Sequence, residues 1–479
     1  MLLHRGLIAN NPIPCYPLRR PALTQRMDAG RLFGTSGIRG IVNQDLSPDF
    51  CRRVASAIGT ALPPASRVGI ATDTRITRNV IKDAIIAGLL SCSINVADLG
   101  VLPTPALASL TRQMGFAAGI MVTASHNPPE FNGIKLFGAD SVGYSPAQEA
   151  EIERVYFDQR FRQGKRGTLE QGHDMKQRYF SFLTSKFPRP EFNHHLRVVV
   201  DPGNGAASKF AGDIFVQMGL DVIPVNDEPD GLFPGRGPEP GADTLQGTVA
   251  FLRKHNADLA VCFDGDADRV VFCDREGFLG FSEPIAFISR LAVQKTGKKT
   301  IATTVETGAL LDLAVKDLGA EVIRGKVGDV AVAHLARELD AALGVEQVGV
   351  YIMPEAGYYP DSIFASLSLL GELSNAGQIR EYFRGMPGLF FEKARVSCPD
   401  ELKESVMARA MEKARLFAPD EINTLDGLRL EFPDSWMLIR ASGTEPVIRV
   451  ISESASRKQT DELIRKGEKL VGGLVEASR

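Results

Sequence analysis

The chain has 479 residues, 44% hydrophobic and 24% charged, with a formal net charge of −3. This is the composition of a soluble globular protein of several domains. It has neither the basic excess that nucleic acid requires nor an acidic tail, so a phosphorylated ligand would have to meet local positive charge. The longest apolar stretch, Ala117–Ala124, is too short to cross a bilayer and argues against a membrane partner. Six cysteines, at 15, 51, 92, 262, 273 and 398, form no C-x-x-C pair. They read as reduced, buried thiols of a cytoplasmic protein, with no disulfide framework and no zinc site.

Residues 1–26 are proline-rich, with four arginines and no acid. They read as a disordered extension or as an early start, with Met27 the true first residue. Beyond them, three segments follow one plan. RVGIATDTR (67–75) is paired with INVADLG (94–100), RVVVDPGNG (197–205) with LDVIPVN (220–226), and KTIATTVETG (299–308) with AEVIRGKVG (320–328). The starts of paired segments lie 27, 23 and 21 residues apart, room for a strand, a helix and a return strand. The pattern predicts an α/β protein with three similar mixed α/β domains in series, over 27–172, 173–276 and 277–388. From about 390 it changes to two helices and an antiparallel set of strands, a C-terminal α+β domain over 389–479. Trp436, the only tryptophan, is expected on a strand packed against those helices. Four domains in series imply a central cleft.

Four stretches carry chemistry. In VCFDGDADRVVFCD (261–274) an apolar run leads into Asp264, Asp266 and Asp268, followed by Arg269. Carboxylates this close repel one another unless a cation sits among them, and an all-oxygen set suits Mg²⁺. An EF-hand is excluded, because its required glycine and glutamate positions hold Arg269 and Arg275. The alternative is a solvated acidic turn. In RASGTEPVIRV (440–450), Ser442, Thr444 and the amides around Gly443 could ring an anion, with Arg440 and Arg449 adding charge; alone it could equally be a plain hairpin loop. LFGTSGIRGIVN (32–43) is glycine-rich and contains Arg39, but does not match a dinucleotide fingerprint. In TASHNPPEFNGIKLF (123–137), Ser125 follows a strand, His126 and Asn127 are placed to orient it, and Lys135 returns after a turn. A bare serine needs a base or a metal, and the absence of G-x-S-x-G disfavours an acyl hydrolase.

Together and in this order, T-A-S-H-N-P, D-G-D-x-D-R and R-x-S-G-T-E-P resemble the motifs of the α-D-phosphohexomutase family, which includes phosphoglucomutase, phosphomannomutase and phosphoglucosamine mutase. The resemblance runs from about Leu32 to the C-terminus. It implies that Ser125 carries a phosphoryl group and binds Mg²⁺ together with Asp264, Asp266 and Asp268. It also implies that Arg39 and Arg269 lie at the catalytic centre, that His126 and Lys135 flank Ser125 with one of them shuttling the hydroxyl proton, and that Arg440, Ser442, Gly443, Thr444 and Arg449 grip the distal phosphate. The family's sugar loop, G-E-x-S-G, corresponds to GVEQVG (344–349), where Glu346 would meet sugar hydroxyls and Val348 replaces the usual serine; Lys326 is a second candidate for the same site. The implied reaction interconverts a hexose 1-phosphate and 6-phosphate (mannose, glucose or glucosamine) through a bisphosphorylated sugar, with hexose 1,6-bisphosphate as primer. FGTSGIRG and DGDADR lean toward the prokaryotic branches. The alternatives are a phosphosugar-binding or regulatory protein on the same scaffold, a pentose-phosphate mutase, or a metal-dependent phosphatase using the same serine. Monomer and homo-oligomer both stay open.

Overall fold

The computed structural model describes residues 27, 30–187, 192, 196–443 and 445–478; the extension 1–26, with Cys15, lies outside them. The apolar runs become strands whose two faces are both buried, as expected where helices cover a sheet on each side. In the first sheet, for example, Ile120 and Val122 enter one core cluster and Met121 another.

The first sheet contains β1 (Ile38–Ile41), β2 (Arg67–Thr72), β3 (Asn95–Val101), β4 (Ala118–Val122), β5 (Phe131–Gly138) and β6 (Leu169–Gln171), in the order β1-β5-β4-β2-β3-β6. The second contains β7 (Arg197–Asp201), β8 (Asp221–Pro224), β9 (Leu259–Phe263) and β10 (Val270–Asp274), ordered β10-β9-β7-β8. The third contains β11 (Thr300–Thr304), β12 (Glu321–Gly325), β13 (Leu343–Glu346) and β14 (Val350–Ile352), ordered β12-β11-β13-β14. Read from the antiparallel edge, β5-β4-β2-β3, β10-β9-β7-β8 and β14-β13-β11-β12 are one topology repeated. The expected parallel pairs β2/β3, β7/β8 and β11/β12 are present. In each repeat a short hairpin joins the third strand to the antiparallel fourth. One apolar cluster runs through all three repeats, from Ala71 through Val198 to Phe383.

The fourth sheet is antiparallel: β15 (Phe390–Ser397), β16 (Glu421–Asn423), β17 (Leu428–Phe432), β18 (Ser435–Ala441) and β19 (Val447–Ser454), ordered β15-β19-β18-β17-β16. The helices Asp400–Glu412 and Arg457–Glu476 cover one face, over Met437, Ile439, Ile448 and Val450. The strand that carries Trp436 packs against those helices as expected, through Met437 and Ile439, while the indole itself turns the other way. Side chains alternate along a strand, so Trp436 and Leu438 share the opposite face and meet Val305 of the third domain. The indole Nε1–H donates to Glu453 Oε2 at 2.9 Å, and the Arg429 guanidinium lies 3.9 Å from the ring centre. Cys51, Cys92, Cys262, Cys273 and Cys398 are buried and free. Among the described residues no helix is long and apolar enough to cross a membrane.

Candidate active site

The three equivalent hairpins converge. The first, between β4 and β5, carries Ser125, a buried residue with φ of +53°. This backbone conformation is unfavourable for a side-chain-bearing residue and persists only where surroundings enforce it. The enforcing groups come from the end of β2. Thr123 Oγ1 accepts the Ser125 amide at 2.9 Å and donates to Asp73 Oδ2 at 2.7 Å. Arg75, fully buried, donates to Asp73 Oδ2 and to the carbonyls of Ser125, Asn127, Pro128 and Phe131 at 2.6–3.0 Å. The Ser125 hydroxyl donates to Asp264 Oδ2 at 2.7 Å and lies 3.3 Å from His126 Nδ1. Burial, with the charges of Arg269, Arg39 and Lys135, pushes the His126 imidazole down to about 2, so it is neutral. Arg39 Nη1 donates to Asn127 Oδ1 at 2.9 Å, on the far side of the same loop.

The second hairpin, between β9 and β10, carries the acids. One oxygen from each of Asp264, Asp266 and Asp268 lies within 4.8 Å of the others, all three residues being buried. Lys135, on β5, donates through Nζ to Asp266 at 2.8 Å and Asp268 at 2.5 Å. Burial would lower its pKa, but those two carboxylates outweigh that and hold the ammonium charged. Burial acts to raise the Asp268 carboxyl too, yet Lys135 and Arg269 hold it at about 2. Asp264 moves the other way, raised by burial and by its two acidic neighbours. Asp266 Oδ1 and Asp268 Oδ1 are buried without a hydrogen-bond partner. Orphaned carboxylate oxygens in a tight all-oxygen group are what a hard divalent cation would satisfy, so the residues fit Mg²⁺. Gly265 lets the two loops touch, since a Cβ there would stand 2.5 Å from the Ser125 carbonyl oxygen.

The third hairpin, between β13 and β14, is sutured to the second. The Val270 amide donates to the Gly349 carbonyl at 2.9 Å, and Arg269 bridges to Val350. Gly349 has φ of +85°, and a Cβ on it would meet the Val270 carbonyl oxygen at 2.5 Å. Glu346 is buried and accepts the Gly328 amide at 2.8 Å. Burial first, then the neighbouring Asp329, raises its carboxyl to about 7. Val348 packs against an apolar cluster that includes Val142 and Val332, and Lys326 is exposed.

The fourth loop, between β18 and β19, comes up to the first domain. A Cβ on Gly443 would lie 3.8 Å from Thr35 Cγ2 in the glycine-rich loop that precedes Arg39. Thr444 lies outside the described residues. Lys403 Nζ donates to the carbonyls of Ser442 and Glu445, both at 2.6 Å. Arg440 is held by Asp426 at 3.0 Å and Glu306 at 3.2 Å, and Arg449 by Glu445 at 2.9 Å.

Sequence reasoning missed Asp73, Arg75 and Thr104. Thr104 Oγ1 donates to Asp266 Oδ2 at 2.7 Å, and its amide to the Asp266 carbonyl at 2.8 Å. Nothing local in IATDTR marks its arginine as the brace of a loop 50–56 positions later.

Four descriptions of one family match in series. Phosphoglucomutase/phosphomannomutase alpha/beta/alpha domains I, II and III match residues 30–163, 177–277 and 283–387, and the C-terminal domain matches 394–466. The "Probable phosphoglucosamine mutase" of Thermococcus gammatolerans is 38% identical over 447 residues, 92% of this chain and 98% of that protein. The protein of the same name from Methanopyrus kandleri is 37% identical over 450 residues, covering 91% and 96%. Among solved structures, a phosphoglucomutase/phosphomannomutase family protein from Burkholderia thailandensis superposes with a TM-score of 0.82 at 25% identity, covering 93% of this chain and 98% of that one. Aspergillus fumigatus N-acetylphosphoglucosamine mutase, in complex with GlcNAc-6P and magnesium, shares the fold with a TM-score of 0.58 at 18% identity, covering 95% and 98%. The chain belongs to the phosphoglucomutase/phosphomannomutase family and is a phosphosugar mutase.

Proposed function

We infer that the enzyme interconverts the 1- and 6-phosphates of an aminohexose, glucosamine phosphate, with Ser125 as phosphoryl carrier and hexose 1,6-bisphosphate as primer. The carrying observation is the Ser125 hydroxyl 2.7 Å from Asp264, beside an acidic triad in which Asp266 Oδ1 and Asp268 Oδ1 are buried without a hydrogen-bond partner. Two further features support the sugar. The curated relatives bear the name phosphoglucosamine mutase, and two neighbouring carboxyls, Asp329 and Glu346, both pushed up by burial, offer an acceptor for a sugar ammonium.

Asp264, Asp266 and Asp268 would hold Mg²⁺, which when bound neutralises charge on the phosphoryl group. The protein's own residues do the rest by position and charge. Phosphoryl moves from Ser125 Oγ to the free sugar hydroxyl: the P–Oγ bond breaks as the new P–O bond forms, and the proton of that hydroxyl ends on Ser125 Oγ. After the sugar turns round, the opposite phosphate returns to Ser125. Lys135 and Arg269 supply fixed positive charge. Of the two residues expected to shuttle a proton, Lys135 stays charged on the acids, while His126 is neutral and faces Ser125 Oγ. Arg440, Arg449 and the Ser442–Thr444 loop grip the distal phosphate. The fourth domain, with its own core, closes the cleft and excludes water.

The test is a panel of kcat/KM values on glucosamine, glucose and mannose 1-phosphates, with intact mass of the purified protein. Glucosamine 1-phosphate should lead, chelation should abolish turnover, and a phosphorylated fraction should vanish in Ser125→Ala. An S125A variant with full activity would overturn the carrier assignment, and a preference for glucose or mannose would overturn the sugar.

A further inference from the structure

The face of the fourth sheet turned toward the third domain carries a row of cations. Arg440 on β18 is opposite Arg449 on β19, and Arg449 is opposite Arg395 on β15. Three guanidiniums therefore sit side by side across neighbouring strands, and Lys393, two residues before Arg395, shares their face. Like charges placed opposite one another destabilise a sheet, so the row requires anions. Glu445 takes Arg395 at 3.2 Å and Arg449 at 2.9 Å, and Asp426 takes Arg440 Nε at 3.0 Å. Both belong to the fourth domain. Glu306 instead reaches across from the turn after β11. Its Oε1 accepts Arg440 Nη1 at 3.2 Å and its Oε2 lies 3.7 Å from Lys393 Nζ. Glu306 and Arg440 are both buried.

We propose that Glu306 is a tethered stand-in for phosphate: it holds Arg440 while the cleft lacks a distal phosphate, and it competes with the substrate's phosphate for that guanidinium. The inference rests on the reading of Arg440 as part of the phosphate grip. A mutase has a need that a one-way phosphotransferase lacks: it must seize one phosphate, let go so that the sugar can turn, and seize the other. With only Asp426 on its Nε, the buried guanidinium would release phosphate slowly, because breaking that pair leaves its Nη1 end without an acceptor. A carboxylate fixed a few ångströms away acts at high effective concentration. It takes over Arg440 as the phosphate leaves and lowers the barrier to the turn, at the expense of ground-state affinity. Glu306 acts through Arg440 and is a positioning residue.

The experiment measures binding of glucose 1,6-bisphosphate by calorimetry, with Mg²⁺ present, to S125A, S125A/E306Q and S125A/R440Q, together with steady-state kinetics of E306Q on otherwise unaltered enzyme. Glutamine keeps the shape of Glu306 and removes its charge. S125A/E306Q should bind about fivefold tighter than S125A, the scale of one competing charge pair at a partly hydrated contact. In the active enzyme KM and kcat should fall together, a split that mere loosening of the domain contact would not give. If R440Q weakens binding while E306Q leaves it unchanged or weaker, the stand-in is refuted and the phosphate grip stands. If R440Q leaves binding unaltered, the grip assignment itself fails. Should E306Q not fold, as judged by thermal melting, E306D draws the carboxylate back from Arg440 and should still tighten binding; equal or weaker binding there also refutes the proposal.

Discussion

Replacing Arg75 with lysine tests whether one buried fork fixes the reactive serine. Arg75 makes five side-chain hydrogen bonds: Nε to Asp73, Nη1 to the carbonyls of Pro128 and Phe131, and Nη2 to those of Ser125 and Asn127. Lysine keeps a charge beside Asp73 but offers three donors from one atom, so at least two of the five bonds disappear. Hydrogen bonds to a charged group contribute about 1.5–3 kcal/mol each, which puts the local loss at about 3–6 kcal/mol. The domain core is untouched, so the chain should fold while the 123–131 loop relaxes from its strained φ. A displacement of order 1 Å at a reacting atom lowers rates by about 100-fold. The measurements are kcat/KM for the preferred sugar phosphate and hydrogen exchange of peptides covering 123–132. A kcat/KM within about twofold of the parent, with unchanged exchange, would show that the prolines and the turn hold Ser125 without Arg75.

Three other outcomes follow from the same geometry. Burial raises the Asp361 carboxyl to about 7, although Tyr179 and the Phe364 amide donate to it. The native state therefore retains a proton that the unfolded chain has released, so stability should fall as pH rises from about 4 to about 7 and level off above. Asp361→Asn should flatten that profile, and a parallel Tm–pH curve in the variant would contradict the reading. Gly349→Ala forces a side chain against the Val270 carbonyl at a positive φ; it should part the second and third hairpins and reduce kcat at least about tenfold, whereas unchanged kcat would mean that the suture is dispensable. Trp436→Ala should remove about 3–5 kcal/mol from the contact between the third and fourth domains and speed limited proteolysis between residues 384 and 390; unaltered cleavage would show that Trp436 does not hold the two domains together.

The repeated βαβ plan was legible because buried parallel strands are short apolar runs ending in polar turns, as in RVVVDPGNG. The serine and the acids were legible because their motifs are local: each fits within one hairpin. The brace around Ser125 was not. IATDTR gives no hint that its arginine folds onto carbonyls 50–56 positions later. Lys135 was found, but its partners were not, because they depend on register: opposite Met121, it reaches the acids of the neighbouring domain. The strand of Trp436 was placed against the helices, but hydrophobicity on both faces of β18 leaves open which face meets them, and the indole is on the other. The carboxylates on Arg440 were equally hidden, Glu306 lying 134 positions away in sequence. Apart from the brace, which lies within the first domain, what escaped was a contact between domains.

The apolar cluster shared by the first three domains divides the labour mechanically. Serine, acids and Glu346 stand on a common footing, whereas the cationic row rides on a separate core, joined to the third domain around Trp436 and through polar bonds such as Glu306 to Arg440. Drift in the fourth domain can therefore retune which cargo is retained, and for how long, while the bond-making apparatus keeps its alignment. A catalyst so assembled can diversify its diet without relearning its chemistry.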